Sequence, residues 1–285
     1  MISNKIIEKK GVVFFVEYNE NIPYEKMAYY AIKSLKYFNP AIKVAVIYCN
    51  DYKNIIQKKL ESICDYLINI NPINDNFGKN KKISNLYQIY WASPFEENIY
   101  FDCDFLFSGT INNYFNYLNN TSFCFSSNSL DYRLNEKDIN YKLNFFKKHE
   151  IPFVNNQIFM FKKNNDSLEF FNLWSQISNN FNTFYNEYLK YPYDVQDINI
   201  DISLALKLSD NTESIINNLD YWIDLRPSKI NYTDQENKDF YNYVNFWCIK
   251  GPSFKFENYI LNSPIHYKDP NFLNDFFCKY FEEYF

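Results

Sequence analysis

The sequence predicts an α/β protein with a mainly parallel central sheet flanked by helices. Three observations support this. Apolar runs alternate with amphipathic segments through the first hundred residues. Those runs are continuous, as in strands covered on both faces. Hydrophobic residues make up 47% of the 285 positions and aromatics 21%, enough to cover both faces of a sheet.

The elements follow in order. Residues 12–16 (VVFFV) form a short buried strand. Pro23 then opens a helix over 24–38, with Met27, Tyr30, Ala31, Ser34, Leu35 and Phe38 at helical spacing, and Asn39-Pro40 stops it. Residues 43–49 (KVAVIYC) read as a second strand, 52–64 as a helix and 66–70 as a third strand. A helix over 81–92 is broken by Ser93-Pro94, and 98–107 (NIYFDCDFLF) reads as a fourth strand with two acids inside it. Strand and helix alternating this way imply parallel pairing.

The second half is less regular. Residues 123–126 and 152–161 suit strands, 167–189 a long aromatic-rich amphipathic helix, and 195–208 a further helix. Segments 221–224, 245–250 and 264–268 are strand or loop. The aromatic-rich C-terminal part is helical: Phe272, Phe276 and Tyr280 recur every fourth residue, as do Leu273, Phe277, Phe281 and Phe285. Its apolar face needs a cover, whether a membrane surface, a second copy of the chain or the chain's own core. No linker divides the chain, so 1–285 is expected to be a single domain.

Composition excludes several functions. There are four glycines, against about twenty in an average chain of this length. The two nearest, Gly78 and Gly109, are too far apart for a P-loop or a dinucleotide-binding fingerprint, whose glycines let backbone approach phosphate closely. A phosphorylated ligand must be held by other means. The net charge of −5 argues against a nucleic-acid partner, which usually calls for a basic footprint. No apolar run reaches the roughly 18 residues of a membrane span. The charged N-terminus does not read as a secretion signal, and the six cysteines show no C-x-x-C spacing. Reduced thiols in the cytoplasm, with peripheral membrane contact left open, are the expectation. Forty-three asparagines, with abundant Ile, Lys, Tyr and Phe, read as codon bias, since disordered chains lack aromatics.

The chemistry centres on Asp102-Cys103-Asp104. An acid within an apolar strand is costly unless it is paired or binds metal. Two acids at the C-terminal end of a parallel strand lie where ligands of such sheets bind, and both can reach one divalent cation. Mg²⁺ or Mn²⁺ suits carboxylate oxygens and leaves positions free for phosphate, which would neutralise a diphosphate without a glycine cradle.

NIYFDCDFLFSG, preceded by SPFEE, resembles the Asp-x-Asp segment of GT-A-fold glycosyltransferases, and is most similar to glycosyltransferase family 8, the glycogenin- and galactosyltransferase-like group. The resemblance runs along most of the chain as an order of motifs. It implies a nucleotide-binding half over 1–110, a donor-sugar and acceptor half over 111–270 and the tail helix over 271–285. Lys82, with Lys79 and Lys81 as near alternatives, matches a donor-contacting lysine. The segment Phe153-Val154-Asn155-Asn156-Gln157 matches the strand lining the donor sugar, with Asn155 and Gln157 toward the donor and Asn156 beside the reacting centre. Gln157 stands where the group has glycine. Asp197 and Asp201 match an acidic segment near the reacting carbon, and they share a face if both are helical. Ser263-Pro264-Ile265-His266-Tyr267-Lys268 echoes, without its glycine, the motif whose His completes the metal site and whose Lys grips the diphosphate. Tyr18 and Asp51, after strands one and two, fall where base and ribose bind.

The resemblance thus implies a metal-dependent transferase moving a sugar from a nucleotide-sugar, a UDP-sugar above all, to an acceptor hydroxyl with retention. The metal, Mn²⁺ or Mg²⁺, is held by Asp102, Asp104 and His266. The acceptor, a glycan, a lipid-linked glycan or a protein, is left open. Two other readings stand beside it: a noncatalytic sugar-binding or assembly module with a degenerate site, and a sugar nucleotidyltransferase.

Overall fold

The computed structural model describes residues 6–17, 22–49, 55–73, 85–133, 140–190, 196–216, 222–225 and 246–285. Its central sheet takes strands β1 (Glu8–Glu17), β2 (Val44–Cys49), β3 (Tyr66–Ile70) and β4 (Phe95–Phe101) from the first hundred residues. Helices α1 (Tyr24–Phe38) and α2 (Ile55–Ile63) connect the first three strands. A 3₁₀ turn (Leu86–Gln88) and α3 (Ile89–Ala92) precede the fourth. Pairings β1–β2, β2–β3 and β1–β4 are parallel.

The continuous apolar run in β1 has a simple cause. Val12, Phe14 and Val16 face the core beneath α1, while Val13 and Phe15 face the core on the other side of the sheet. Gly11 lets β1 and β4 approach, since a Cβ there would lie 2.4 Å from the Phe95 ring.

The sheet continues through β6 (Phe123–Ser126), β7 (Asn155–Lys162) and β8 (Ile215–Ile216) in the order β3-β2-β1-β4-β7-β6-β8. Strand β7 runs antiparallel to β4 and β6, so the sheet is mixed at this end. Among the described residues, the remaining helices are α4 (Asn140–Lys148), α5 (Asn165–Asn179), α6 (Phe181–Phe184), α7 (Ile198–Leu208) and α8 (Asp275–Tyr284). The chain leaves β1 toward β2 on one side and reaches β4 on the other. That is a topological switch point, and the crevice at the C-terminal ends of β1 and β4 is where such folds bind ligands.

Two sequence expectations change. The segment 98–107 is not one strand: β4 ends at Phe101, the chain turns through Asp102-Cys103-Asp104, and β5 (Phe105–Leu106) joins β9 (Ile223–Asp224) and β13 (Ile265–His266) in a separate sheet of order β5-β13-β9. Strands β10 (Phe246–Ile249), β11 (Ser253–Phe256) and β12 (Tyr259–Leu261) form a third sheet. The 167–189 segment is not one helix either. It breaks after Asn179, and Tyr185–Leu189 forms a π turn ending in left-handed Lys190. Consecutive Asn179-Asn180 are weak helix formers whose amides bond locally, to Ser175 and Gln176 carbonyls. The sheet is mainly parallel, as strand–helix alternation implied, with β7 its antiparallel member.

The tail helix is as predicted and is capped by Asn274, which accepts from Phe277 N at 2.9 Å. Its apolar stripe covers the chain's own core. Phe277 and Phe281 are fully buried against Phe246, Phe254 and Tyr30, and Lys33 of α1 pairs with Glu282. Among the described residues no helix is long and apolar enough to cross a membrane. All six cysteines are free thiols.

Candidate metal centre

The turn after β4 aims its residues in two directions. Cys103 points inward and its thiol donates to Phe15 O at 3.0 Å. Asp102 N donates to Gln157 O at 2.9 Å, tying the turn to the start of β7. Tyr100 OH donates to Asp102 Oδ1. Burial, and then the Asp102 charge, hold that phenol well above its usual range.

The second half of the site comes from far along the sequence. The small sheet lays β13 (Ile265–His266) between β5 and β9 (Ile223–Asp224). Tyr267 N donates to Asp104 O at 3.0 Å, and His266 stands level with Phe105 on one side and Asp224 on the other. His266 Nε2 lies 3.1 Å from Asp104 Oδ2, and Nδ1 lies 3.2 Å from Asp224 Oδ1. Burial alone lowers an imidazole's pKa, but here the Asp104 and Asp224 carboxylates outweigh it and raise His266 to about 9.

Ligand atoms of Asp102, Asp104 and His266 all fall within 4.8 Å of one another. Asp104 Oδ1 is buried and has no hydrogen-bond partner. An orphaned carboxylate oxygen is costly without a cation or donor. Two carboxylates and one imidazole suit Mn²⁺ better than Mg²⁺ and leave positions for oxygens of a ligand. The residues therefore fit a divalent metal.

A second group adjoins the turn. Asn155, Asn156 and Gln157 open β7 and are 3%, 4% and 7% exposed. Asn155 and Gln157 share one face, because side chains alternate along a strand. Asn155 Oδ1 and Gln157 Oε1 are buried acceptors without a partner, available to hydroxyls. Asn156 N donates to Asn199 Oδ1 at 3.1 Å, which docks the start of α7 on β7. Asp197 caps that helix by accepting from Asn199 N at 2.8 Å.

Asp197 and Asp201 do not share a face. Asp197 is the extended residue before the helix and is exposed. Asp201 is fully buried, taking hydrogen bonds from Ser178 Oγ (2.7 Å), Tyr185 OH (2.6 Å) and Gln196 Nε2. Burial raises its pKa to about 6 in spite of those donors. Lys268 is exposed, two residues beyond His266, in a left-handed conformation. Tyr18, Asp51, Lys82 and its neighbours Lys79 and Lys81 lie outside the described residues.

Two residues near the site were not legible in the sequence. Asp224 had no motif to flag it. Tyr24, first residue of α1, lies near the turn: burial, then Asp104 and Asp102, push its hydroxyl well above the usual range. An acid or tyrosine among many carries no sequence signal until the fold sets it beside the turn.

No family model matches the chain, and no curated protein matches it in sequence. Its fold has clear counterparts. The galactosyltransferase LgtC, solved with donor and acceptor sugar analogues, has a TM-score of 0.52 at 13% identity, covering 93% of this chain and 88% of that one. An active-site mutant of LgtC gives 0.54 at 12%, covering 97% and 94%. The apo form of mouse xyloside xylosyltransferase 1 gives 0.50 at 13%, covering 92% and 98%. The chain has the GT-A-type fold of these glycosyltransferases.

Proposed function

We propose that the protein is a metal-dependent glycosyltransferase that moves a sugar from a nucleotide-sugar, a UDP-sugar in the first instance, to an acceptor hydroxyl. The observation that carries this reading is the convergence of Asp102, Asp104 and His266 at the sheet's switch point, with Asp104 Oδ1 left unpartnered. Glycan, lipid-linked glycan and protein acceptors all fit, because acceptor loops vary on a fixed scaffold.

In this reading Asp102, Asp104 and His266 would hold Mn²⁺ or Mg²⁺. When bound, the cation supplies Lewis-acid neutralisation of the diphosphate leaving group. Lys268, on the exposed side of His266, adds positive charge for that diphosphate. Asn155 and Gln157 accept hydrogen bonds from donor-sugar hydroxyls, and the bulk of Gln157 shapes the pocket. Asn156, docked on Asn199, sets the distance between the sugar edge and the start of α7. Asp197 is the acid left free to meet a hydroxyl, while Asp201 acts through the packing of α7. Tyr18 and Asp51 serve base and ribose, and Lys82 the donor. The division into a nucleotide half (1–110), a donor-sugar and acceptor half (111–270) and a docked tail belongs to the same reading. The free thiols support a reducing compartment.

A screen of nucleotide-sugars with Mn²⁺, following slow transfer to water, tests the activity. Release of UDP from one donor, dependent on Mn²⁺, is expected. Calorimetry that finds no metal-dependent UDP binding would sink the reading. Retention is checked separately by NMR of the first product formed: an inverted anomer removes it.

A further inference from the structure

Asp224 is the acid that the metal reading does not itself use. It is 1% exposed, and its carboxylate lies 3.2 Å from His266 Nδ1. The contact is set by strand pairing, since β9 and β13 run parallel with Asp224 level with His266. The backbone of β9 is held independently. Asp224 N donates to Leu130 O and Leu225 N donates to His266 O, both at 2.9 Å. The side chain is thus not what pairs the strand.

The imidazole is also walled by two rings. Phe105 and Trp222 lie 5.2 and 5.9 Å from it, centroid to centroid. With Nδ1–H donated to Asp224, a cation that displaces the Nε2 proton finds that nitrogen's lone pair facing the gap shared by Asp102 and Asp104. Which ring nitrogen is free for a metal is set by the hydrogen bond the other one makes. Carboxylates behind metal-bound histidines orient the ring and raise its strength as a ligand.

We propose that Asp224 is a positioning residue for the metal centre: it locks the His266 ring with Nε2 toward Asp104 and tightens the hold on a divalent cation. This rests on the metal reading above, and the test separates the two.

The full-length protein is titrated with Mn²⁺ alone, free ion being followed by electron paramagnetic resonance. Asp224→Ala is expected to weaken Mn²⁺ binding by about 10- to 100-fold, and Asp224→Asn, whose amide oxygen still accepts from Nδ1–H, by less. The second readout is the ¹⁵N imidazole spectrum, which is simple because the chain has only two histidines, His149 and His266. In the parent protein Mn²⁺ broadens His266 and spares His149. In Asp224→Asn that broadening requires more Mn²⁺. Should Asp224→Ala fail to fold, as judged by its metal-free melting curve, the near-isosteric Asp224→Asn decides. If both variants bind Mn²⁺ within twofold of the parent while His266→Ala weakens it, Asp224 only supports the fold and the proposal is overturned. If the parent takes up no Mn²⁺, or Asp104→Ala and His266→Ala leave uptake unchanged, the metal reading itself fails.

Discussion

Asp104 and Asp201 are both carboxylates removed from water, and their surroundings are opposite. Asp201 sits in the first turn of α7 with Ser178, Tyr185 and Gln196 all donating to it. Asp104 has one oxygen 3.1 Å from His266 and another with no partner. A buried acid with its oxygens filled holds elements together. A buried acid left half-filled has an oxygen to offer a cation. Burial alone therefore does not mark a site; the donor count around the acid does.

The largest expected effect sharpens that contrast at the metal. Asp104→Ala should weaken Mn²⁺ binding by more than about 100-fold, beyond what loss of an outer-shell partner costs. Its metal-free stability, from urea unfolding, should fall less than that of Asp201→Ala. Equal losses of stability in the two variants would break the comparison.

Asp201→Ala removes the buried acceptor shared by Ser178, Tyr185 and Gln196 and should cost about 3 kcal/mol of unfolding free energy. The folded protein should keep its Mn²⁺ affinity. A loss of metal binding without a loss of stability would move Asp201 into the site.

The pH dependence tests the same acid. An unfolded aspartate titrates near 3.8, and burial raises folded Asp201 to about 6. The folded state therefore holds the proton more tightly between those values. The stability this adds is full below pH 3.8 and is lost as pH rises through about 6. The gap corresponds to roughly 3 kcal/mol. Asp201→Asn cannot ionise, so its stability relative to the parent should rise between pH 4 and pH 7.5. A constant difference in urea unfolding across that range would refute the assignment.

The smallest effect concerns Asp197. Asp197→Ala removes the cap of α7 and should cost about 1 kcal/mol by the same unfolding measurement. Transfer activity should fall by more than that loss explains, while Mn²⁺ affinity stays unchanged. A purely structural cap would show the stability loss with activity intact.

Much of the fold was readable before any coordinates. The apolar runs at 12–16 and 43–49 became β1 and β2 because strands covered on both faces tolerate no polar alternation, while 66–70 became β3, the partly exposed edge strand. The fourfold repeat of tail aromatics became α8, but nothing local said that its cover was Phe246 and Phe254. Asp102 and Asp104 stood out because acids inside an apolar run are rare for an energetic reason. The same run hid the turn between them, since Phe105 and Leu106 are as apolar as the strand they leave.

The sequence by itself determined which segments must be buried, where the first helix stops, and which acids and which histidine could bind a cation. These are short-range consequences of side-chain polarity and backbone propensity. Only the tertiary structure decided that Asp104, His266 and Asp224 stand side by side, that Asp201 is filled and Asp104 is not, and that Asp197 stays exposed. Those outcomes depend on which strands pair and in what register, and pairing between residues far apart in the chain leaves no trace in local pattern.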